Sequence, residues 1–215
     1  MSNTVAIIQA RLGSTRFPRK VLADLCGKPV LQRVIEQADR IRGVQEVVAA
    51  IPAETQDPFA GGHGELASAF MSRGLRTFIG EETDVLDRYV RAARWAHADV
   101  ILRITCDCPL LNPDVATDVL EVFSRMACDF CSNDTLISGY PDGWDVEVFS
   151  VASLETAHAQ AIDPHDREHV TPWMKRHLRC QTVYADTPWT GPKLSIDTPD
   201  DLEVVRAWLI AHPDL

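Results

Sequence analysis

Short apolar runs alternate with amphipathic stretches along the first part of the chain. The run at residues 5–9 is almost entirely apolar, as expected for a strand that is buried on both faces. Further strands are predicted at 47–51, 76–79 and 99–104. Helical spacing of apolar residues predicts helices at 29–41, 65–72, 84–97 and 113–125. This alternation predicts an α/β fold with a three-layer, mostly parallel sheet and right-handed crossovers.

The pattern changes after Asp129. Residues 140–143 read Tyr-Pro-Asp-Gly, a turn signal, and the alternation at 144–149 predicts a strand. The remaining predicted elements are helices at 151–161, 167–177 and 199–210, and strands at 182–184 and 194–196. No repeat or linker interrupts the chain. We therefore expect one domain over residues 1–215, with an elaboration at about 133–185.

The composition is that of an ordinary globular domain, with 46% hydrophobic and 24% charged residues among 215. No apolar run reaches the length of a membrane span, and the first ten residues lack the features of a signal peptide. We therefore expect a cytoplasmic protein that does not bind membranes. The six cysteines are then expected to be reduced, and we interpret them as small, buried, apolar side chains.

The formal net charge of −10 argues against nucleic acid as a partner, because duplex binding depends on a broad basic surface. Residues 11–28 are basic, in contrast to the chain as a whole. This segment has a single acid, Asp24, and its cations are Arg11, Arg16, Arg19, Lys20 and Lys28. This local excess of positive charge indicates an anionic ligand.

The basic segment begins directly after the first predicted strand. In open α/β sheets, ligands bind beyond the carboxyl ends of the strands, so this loop is the first candidate site. Its backbone amides and the hydroxyls of Ser14 and Thr15 suit phosphate oxygens, and Arg11 and Lys20 suit their charge. Neither the P-loop spacing nor the dinucleotide fingerprint is present. The alternative interpretation is a solvated basic loop.

This loop is the first of several motifs. The stretch IIQARLGSTRFPRKVLADLCGKPVL is followed in order by ETDVLDRY, RITCDCPLL, YPDGWDVEVF, DREHVTP and IDTPDDLE. The series resembles the CMP-sugar synthetases, which include the acylneuraminate and 3-deoxy-manno-octulosonate cytidylyltransferases. It is most similar to the branch called spore-coat polysaccharide biosynthesis protein F. The resemblance implies a nucleotide-diphospho-sugar transferase (GT-A-like) fold, with Mg²⁺-dependent transfer of CMP from CTP and release of pyrophosphate.

The resemblance also implies roles for individual residues. Arg11 and Lys20 correspond to the cations that bind the triphosphate, and together with Asp107 they form the implied catalytic set. The other implied nucleotide-binding residues are Ala10, Gly13, Ser14, Thr15, Arg16, Thr83, Arg103 and Thr105. For Thr83 the compatible alternative is the cap of the helix that follows it.

Asp107 and Asp197 correspond to the two carboxylates on the metal side. Each follows a predicted strand, and Mg²⁺ prefers one or two carboxylates together with phosphate oxygens. Both residues also have a structural alternative. Asp107 would be a turn residue or helix cap before Pro109, and Asp197 would cap the helix predicted at 199–210.

The acceptor side is predicted after the change of pattern. The candidate acceptor-binding residues are Tyr140, Asp142, Asp145, Glu147, Arg167 and His169. On an alternating strand Asp145 and Glu147 share one face, where two carboxylates suit the hydroxyl or amine groups of a sugar. Arg167 and His169 are the candidates for binding an anionic group. The alternative is an exposed strand, followed by a helix that is capped at Asp166.

Two positions depart from the family pattern, because Cys106 and Arg19 stand where the family usually has glycine. A side chain at position 106 restricts the backbone beside Asp107. The additional cation at position 19 either strengthens phosphate binding or faces solvent.

Taken with the residues, the resemblance implies an enzyme that transfers CMP to an acidic or amino sugar hydroxyl for surface polysaccharide synthesis. The acceptor hydroxyl would attack the α-phosphorus while pyrophosphate leaves in line, without a protein nucleophile. A homodimer is expected, with Trp144 and Phe149 as candidate contact residues.

Three alternatives stay open. The first is a nucleotidyltransferase with another nucleoside triphosphate or a phosphonate acceptor, and the second is a non-catalytic nucleotide-binding subunit. The third, a glycosyltransferase, normally has an Asp-x-Asp motif, whereas this chain has Cys106-Asp107-Cys108 at that place.

Overall fold

The structure is a computed structural model that describes residues 2–53, 63–134 and 136–212. The strands are β1 (Thr4–Gln9), β2 (Asp24–Leu25), β3 (Lys28–Pro29), β4 (Glu46–Pro52), β5 (Arg76–Gly80), β6 (Val100–Thr105), β7 (Phe130–Ser132), β8 (Glu147–Ser150) and β9 (Cys180–Thr182). The helices are α1 (Val30–Ala38), α2 (His63–Met71), α3 (Val85–Trp95), α4 (Pro113–Arg125), α5 (Val151–Gln160), α6 (Pro164–His169), α7 (Pro172–His177) and α8 (Pro199–Ala211). A short 3₁₀ turn spans Lys20–Leu22.

Seven strands form one mixed sheet in the order β5-β4-β1-β6-β8-β7-β9. Strands β5, β4, β1 and β6 are parallel to their neighbours in this half of the sheet. Strand β8 is antiparallel to both β6 and β7, and β9 is parallel to β7. The prediction of an α/β fold with a mostly parallel sheet is confirmed.

Helices cover both faces of the sheet, because the side chains of the buried strands alternate between two hydrophobic cores. In β1, Ala6 and Ile8 belong to one core, and Val5 and Ile7 belong to the other. Helices α1, α2 and α4 pack on the first face, and α3, α5 and α7 pack on the second. A third apolar cluster attaches α8 to the region around Leu25.

The register of β1 and β6 brings the chemically important loops together. Gln9 lies opposite Thr105, so both strands end at the same height along the sheet. The Cys106 amide then donates to the Gln9 carbonyl at 3.0 Å, just beyond the end of β6. The loop after β1 and the segment around Asp107 therefore leave the sheet side by side.

The strand predicted at 144–149 is wrong in its first half, because β8 begins only at Glu147. The buried side chain of Asn133 takes the place of a neighbouring strand. Its Nδ2 donates to the Trp144 carbonyl and its Oδ1 accepts from the Val146 amide, both at 2.8 Å. Asp145 therefore lies in a loop, and the strand-face argument that paired it with Glu147 does not apply.

The single helix predicted at 167–177 is two helices, α6 and α7. Val170 between them has a φ of 70°, and Pro172 begins α7. The positive φ of Val170 lies outside the helical region and Pro172 has no amide to donate, so the helical hydrogen bonds are interrupted at this point. The N-cap of α6 is Asp163, not Asp166. Asp166 is buried and pairs with Arg176 at 2.6 Å.

The strand predicted at 194–196 is also wrong. The Leu194 amide donates to the Asp142 carbonyl at 2.7 Å, and the Ile196 amide donates to the Asp107 carbonyl at 2.8 Å. Because these carbonyls belong to two different segments, no strand ladder forms. The strand predicted at 182–184 lies two residues earlier, as β9, and the three-residue strand β7 was missed.

The predicted burial of the cysteines holds for only some of them. All six are free thiols, and Cys106, Cys108 and Cys131 are buried. Cys26 and Cys180 are exposed, so the prediction is wrong for these two.

Phe149 is fully buried and stacks on Phe130, so it cannot supply the dimer contact that was predicted for it. Trp144 is half-buried and its ring contacts Tyr140 and Trp189. No helix within the described ranges has both the length and the apolar character needed to cross a membrane.

Gly143 lies where the chain leaves no room for a side chain. Its φ is 112°, and a Cβ there would be 2.5 Å from the carbonyl carbon of Leu194 and 2.6 Å from the nitrogen of Ser195. This close approach allows the Asp142 carbonyl to accept the amides of Leu194 and Ser195, at 2.7 and 3.1 Å.

We expect Gly143→Ala to lower the free energy of unfolding by more than about 2 kcal/mol, because a backbone clash adds to the strain of a positive φ. Gly27→Ala is the matched control: its φ is 79°, but nothing lies within 4 Å of the added Cβ. Gly27→Ala should lower the free energy of unfolding by about 1 kcal/mol, because only the strain of the positive φ contributes. Urea unfolding followed by circular dichroism measures both, and equal losses would contradict the clash.

Candidate active site

The basic loop, residues 10–19, folds back on itself after β1. The Leu12 carbonyl accepts hydrogen bonds from the amides of Ser14 and Arg19, both at 2.9 Å. Arg19 has a φ of 62°, a conformation that glycine adopts more easily. Its side chain pairs with Glu65 of α2. The turn delivers the next residue, Lys20, to the carboxyl edge of the sheet.

Lys20 joins three segments of the chain at this edge. Its Nζ donates to Asp107 Oδ2 at 2.8 Å, to the Ile196 carbonyl at 2.8 Å and to Asp197 Oδ1 at 3.1 Å. Burial lowers the pKa of Lys20, but Asp107 and Asp197 outweigh that effect and raise it above its ordinary value. The ammonium group is therefore charged at neutral pH.

Asp197 is surrounded by cations. Lys20 and Arg16 reach its Oδ1, the latter at 3.0 Å, and Lys193 reaches its Oδ2 at 2.8 Å. Burial raises the pKa of Asp197, but the bonds from Lys193 and Lys20 lower it more, to about 2. The carboxylate is therefore ionised throughout the physiological range.

Neither aspartate is a helix cap, so that alternative is wrong for both, whereas Asp107 does lie in a turn, as its other alternative predicted. Helix α4 is capped by the side chain of Asn112, and α8 is capped by Thr198 in a capping box. The carboxylates of Asp107 and Asp197 do not cap a helix, and both accept hydrogen bonds from the Lys20 ammonium group.

A cavity of about 270 Å³, here called the loop cavity, opens beside the basic loop. The predicted nucleotide-binding residues that line it are Ala10, Arg11, Ser14, Thr15, Arg16, Lys20, Arg103 and Thr105. Arg11 pairs with Glu168 of α6 at 3.6 Å, with both side chains about half exposed. The Cys106 side chain lines the same cavity, and its backbone does not have a positive φ.

A second cavity of about 340 Å³, here called the acidic cavity, adjoins the first. The two share a wall of Arg103, Thr105, Asp107 and Asp197. Three predicted acceptor-binding residues, Asp142, Asp145 and Glu147, line the acidic cavity. The structure therefore brings the predicted nucleotide and acceptor residues to opposite sides of one wall.

Glu147 is the centre of a buried network at the base of the acidic cavity. The register of β8 against β6 places it opposite Arg103, and its carboxylate lies 2.6 Å from that guanidinium. Lys175 of α7 approaches the other oxygen at 2.9 Å, and the Thr171 hydroxyl donates to it at 3.0 Å. Burial raises the pKa of Glu147, but Arg103 and Lys175 more than offset this and lower it.

Two predicted nucleotide-binding residues line neither cavity. Thr83 is exposed, and the cap of α3 is Asp84, whose side chain accepts from the Asp87 amide at 2.9 Å. The alternative role of Thr83 as the helix cap is therefore wrong. Gly13 also lies outside both cavities. A nucleotide-binding role for these two residues stays a prediction.

The predicted acceptor residues are split in the same way. His169 lines the loop cavity, where burial and His165 lower its pKa. Arg167 lines neither cavity and pairs with Asp84 at 2.6 Å, which fastens α6 to the start of α3. Tyr140 also lines neither, and its hydroxyl donates to the Tyr184 carbonyl at 3.5 Å. Their acceptor-binding roles stay predictions.

Lys175 and Ser195 also line the acidic cavity, although neither was predicted from the sequence. Lys175 lies on a helix whose predicted extent was wrong, and nothing in its local pattern distinguishes it from a solvated surface lysine. Ser195 precedes the IDTP motif by one residue. Its hydroxyl donates to Asp142 Oδ1 at 2.5 Å, a contact between residues that are 53 positions apart.

Asp107 and Asp197 are also the best candidates to hold a divalent cation. Both carboxylates reach the same ammonium group, so they converge on one point. The described part of the chain contains no cluster of three or more His, Cys, Asp or Glu side chains that could hold a metal. A cation here would therefore need phosphate oxygens and water as further ligands, which suits Mg²⁺.

Comparison with known proteins identifies relatives of the whole chain. The family model described as cytidylyltransferase matches residues 5–198. The spore coat polysaccharide biosynthesis protein SpsF of Bacillus subtilis is 32% identical over 218 residues, covering 96% of this chain and 86% of its own length.

Solved structures share the fold. A cytidylyltransferase from Leptospira borgpetersenii superposes with a TM-score of 0.89 at 23% identity, over 98% of this chain and 88% of the other. The structure of CMP:2-keto-3-deoxy-manno-octonic acid synthetase complexed with CTP gives a TM-score of 0.75 at 22% identity, over 98% and 99%.

We expect Glu147→Gln to lower the free energy of unfolding at pH 7 by about 3 kcal/mol, because it leaves the largely buried Arg103 without its carboxylate and removes one of the two carboxylate partners of Lys175. A glutamate with a depressed folded-state pKa stabilises the protein above its unfolded pKa, near 4.5, and loses that effect as the pH falls through the folded value. The difference in the free energy of unfolding between wild type and Glu147→Gln should therefore become smaller below pH 4.5. Urea unfolding of both proteins at several pH values measures this difference.

Glu155→Gln is the control, because its partner Arg94 and Glu155 itself are largely exposed. Its loss at pH 7 should stay within about 1 kcal/mol. A Glu147→Gln variant that is as stable as this control would contradict the buried network.

Proposed function

The chain belongs to the cytidylyltransferase family, and we propose that it transfers CMP from CTP to the hydroxyl group of an acidic or amino sugar, with release of pyrophosphate. The observation that carries this proposal is the contact of Lys20 with both Asp107 and Asp197 in the wall between two cavities. One cavity is bordered by a basic loop that suits a triphosphate, and the other is rich in polar groups that suit a sugar.

In this proposal the triphosphate lies in the loop cavity. Arg11 and Arg16 are half exposed or more and can turn toward phosphate oxygens, whereas Lys20 is held at the wall. Ser14 and Thr15 supply hydroxyl donors and the loop supplies backbone amides. These groups bind the triphosphate and neutralise the charge that grows on the leaving pyrophosphate.

The acceptor hydroxyl reaches the α-phosphorus from the acidic cavity, and the new O–P bond forms as the bond to pyrophosphate breaks. Asp107 lines both cavities, and we propose that its carboxylate accepts the hydroxyl proton. We propose that Asp107 and Asp197 also hold Mg²⁺, which would contribute charge neutralisation at the phosphates. The protein residues contribute position and electrostatics, without a covalent intermediate.

The physiological setting is part of the proposal. The related protein SpsF is named for spore coat polysaccharide biosynthesis. By analogy, we propose that this chain has a role in surface polysaccharide synthesis. A cytoplasmic location is proposed on the sequence-based expectation alone.

We expect CTP, among CTP, UTP, GTP, ATP and dTTP, to be the one nucleotide that raises the melting temperature and supports pyrophosphate release. Both effects should require Mg²⁺ and disappear with EDTA. Asp107→Ala should lower turnover by about 100-fold or more, because it removes a carboxylate from the proposed reaction centre.

Asp118→Ala is the matched control, since Asp118 is exposed on α4 and lines neither cavity. It should keep wild-type turnover and nucleotide response. A response to a different nucleotide would correct the donor, and no response to any nucleotide would favour a non-catalytic member of the family.

We also propose a homodimer. The exposed apolar side chains Leu136, Ile137 and Tyr184 lie on the elaboration, with exposed fractions of 94%, 61% and 60%. The Ala185 amide donates to the Ser138 carbonyl at 2.8 Å, so the segments that carry these side chains are adjacent. An exposed apolar patch of this kind favours association.

We expect wild type to sediment as a dimer at micromolar concentration and Leu136→Asp to shift the equilibrium toward the monomer, because a charge would be buried in the contact. Ile162→Asp, at a position that is 92% exposed elsewhere on the surface, is the control and should leave the mass unchanged. A monomeric wild type would contradict the dimer.

A further inference from the structure

Arg88 of α3 is a buried cation that the proposed reaction does not use. Only 1% of its surface is exposed, and its Nε has no hydrogen-bond partner in the described part of the chain. Burial is the largest influence on the pKa of Arg88 and lowers it. Burying a charged group with an unpartnered donor is costly, so core packing alone would be served better by an apolar side chain.

The guanidinium group of Arg88 supports the segment at residues 81–84, here called the β5–α3 loop. Its Nη1 donates to the backbone carbonyl of Glu81 and to that of Glu82, the latter at 3.4 Å. Gly80 leaves room for the side chain, because a Cβ there would lie 3.0 Å from Arg88 Cγ. The conformation of the loop therefore depends on Arg88 from its inner side.

These contacts also orient two amide groups of the β5–α3 loop. In a trans peptide the carbonyl and the following N–H point in opposite directions. The amides of Glu82 and Thr83 therefore point away from Arg88, and both residues are exposed. Neither amide donates a backbone hydrogen bond to another described residue. The loop thus presents two successive donors whose positions are fixed by a buried side chain.

The β5–α3 loop leads directly into the border of the loop cavity. Val85, the next residue, lines this cavity and packs in the core on the second face of the sheet. On the opposite border, Leu12 and Val21 pack against the core on the first face. The basic loop and the start of α3 therefore bound the loop cavity from different faces of the sheet.

The proposed reaction leaves this second border for the nucleoside. The β- and γ-phosphates lie on the basic loop, and the α-phosphorus lies at the wall that contains Asp107. The nucleoside extends from the α-phosphate, so it lies toward the border at Val85. Cytosine has two adjacent acceptors, N3 and O2, whereas N3 of uracil carries a proton. Two neighbouring amide donors therefore match cytosine and oppose uracil.

We infer that Arg88 is a positioning residue for the nucleotide base, because it holds the β5–α3 loop with its two free amides directed at the pyrimidine. This inference rests on the proposed function. It assigns the preference for CTP over UTP to a side chain that contacts neither the phosphates nor the reacting atoms.

The experiment measures Kd by calorimetry for CTP, UTP and inorganic triphosphate in the presence of Mg²⁺, and it needs no acceptor. We expect Arg88→Met to raise the Kd for CTP about tenfold, because the amides lose their fixed position. The Kd for inorganic triphosphate should change less than about twofold, because the basic loop is intact. The ratio of the Kd values for UTP and CTP should fall toward one.

Two further variants test the same contact without depending on Arg88→Met. Gly80→Ala removes no charge but crowds the Arg88 side chain, so it should weaken CTP binding and leave triphosphate binding unchanged. Arg88→Lys keeps a donor for the two carbonyls and should recover part of the preference for CTP. Arg91→Met is the matched control, because Arg91 lies on the same helix and is exposed, and it should leave all three Kd values unchanged.

The outcomes separate this inference from the function it rests on. An unchanged preference for CTP in Gly80→Ala and Arg88→Lys, whether or not Arg88→Met folds, would overturn the inference. Equal weakening of CTP and inorganic triphosphate would also overturn it, because that result indicates general damage to the site. Absence of CTP binding by wild type would instead overturn the proposed function, and the inference would fall with it.

Discussion

The arrangement of the site depends on one buried ammonium group. Lys20 Nζ contacts Asp107 and Asp197, which are 87 and 177 residues away in sequence. The Lys20 side chain is only 12% exposed, so its charge is largely removed from solvent. Burying a charge is costly unless it is paired and hydrogen-bonded. Three oxygen partners meet that requirement here, and the same contacts fix the basic loop, the end of β6 and the segment before α8 at one edge of the sheet.

A second buried network gives the other side of the site its shape. Glu147 and Arg103 face each other on neighbouring strands, and Lys175 joins them from a helix on the face of the sheet. The network places opposite charges where the backbone register brings the side chains together. As a result, β8, α7 and the end of β6 share one polar centre, and the acidic cavity has a fixed base.

The two cavities differ in charge although they share a wall. The loop cavity is bordered by Arg11, Arg16 and Lys20, whereas carboxylates outnumber cations in the lining of the acidic cavity. The chain as a whole carries a net charge of −10, so the positive charge of the basic loop runs against the charge of the rest of the protein.

The sequence by itself determined the four longer strands and the four helices of the first 125 residues, the mostly parallel character of the sheet and the position of the basic loop, because local periodicity and turn residues carry that information. It also singled out Asp107 and Asp197 through the motifs that contain them. It did not predict the two-residue strands β2 and β3, which are too short to show a periodic pattern. Only the tertiary structure decided that Asn133 replaces a strand beside Val146, that Lys175 reaches Glu147, and that Phe149 is internal. These outcomes depend on contacts between distant segments, whose geometry is set by the packing of the sheet and leaves no periodic trace in the sequence.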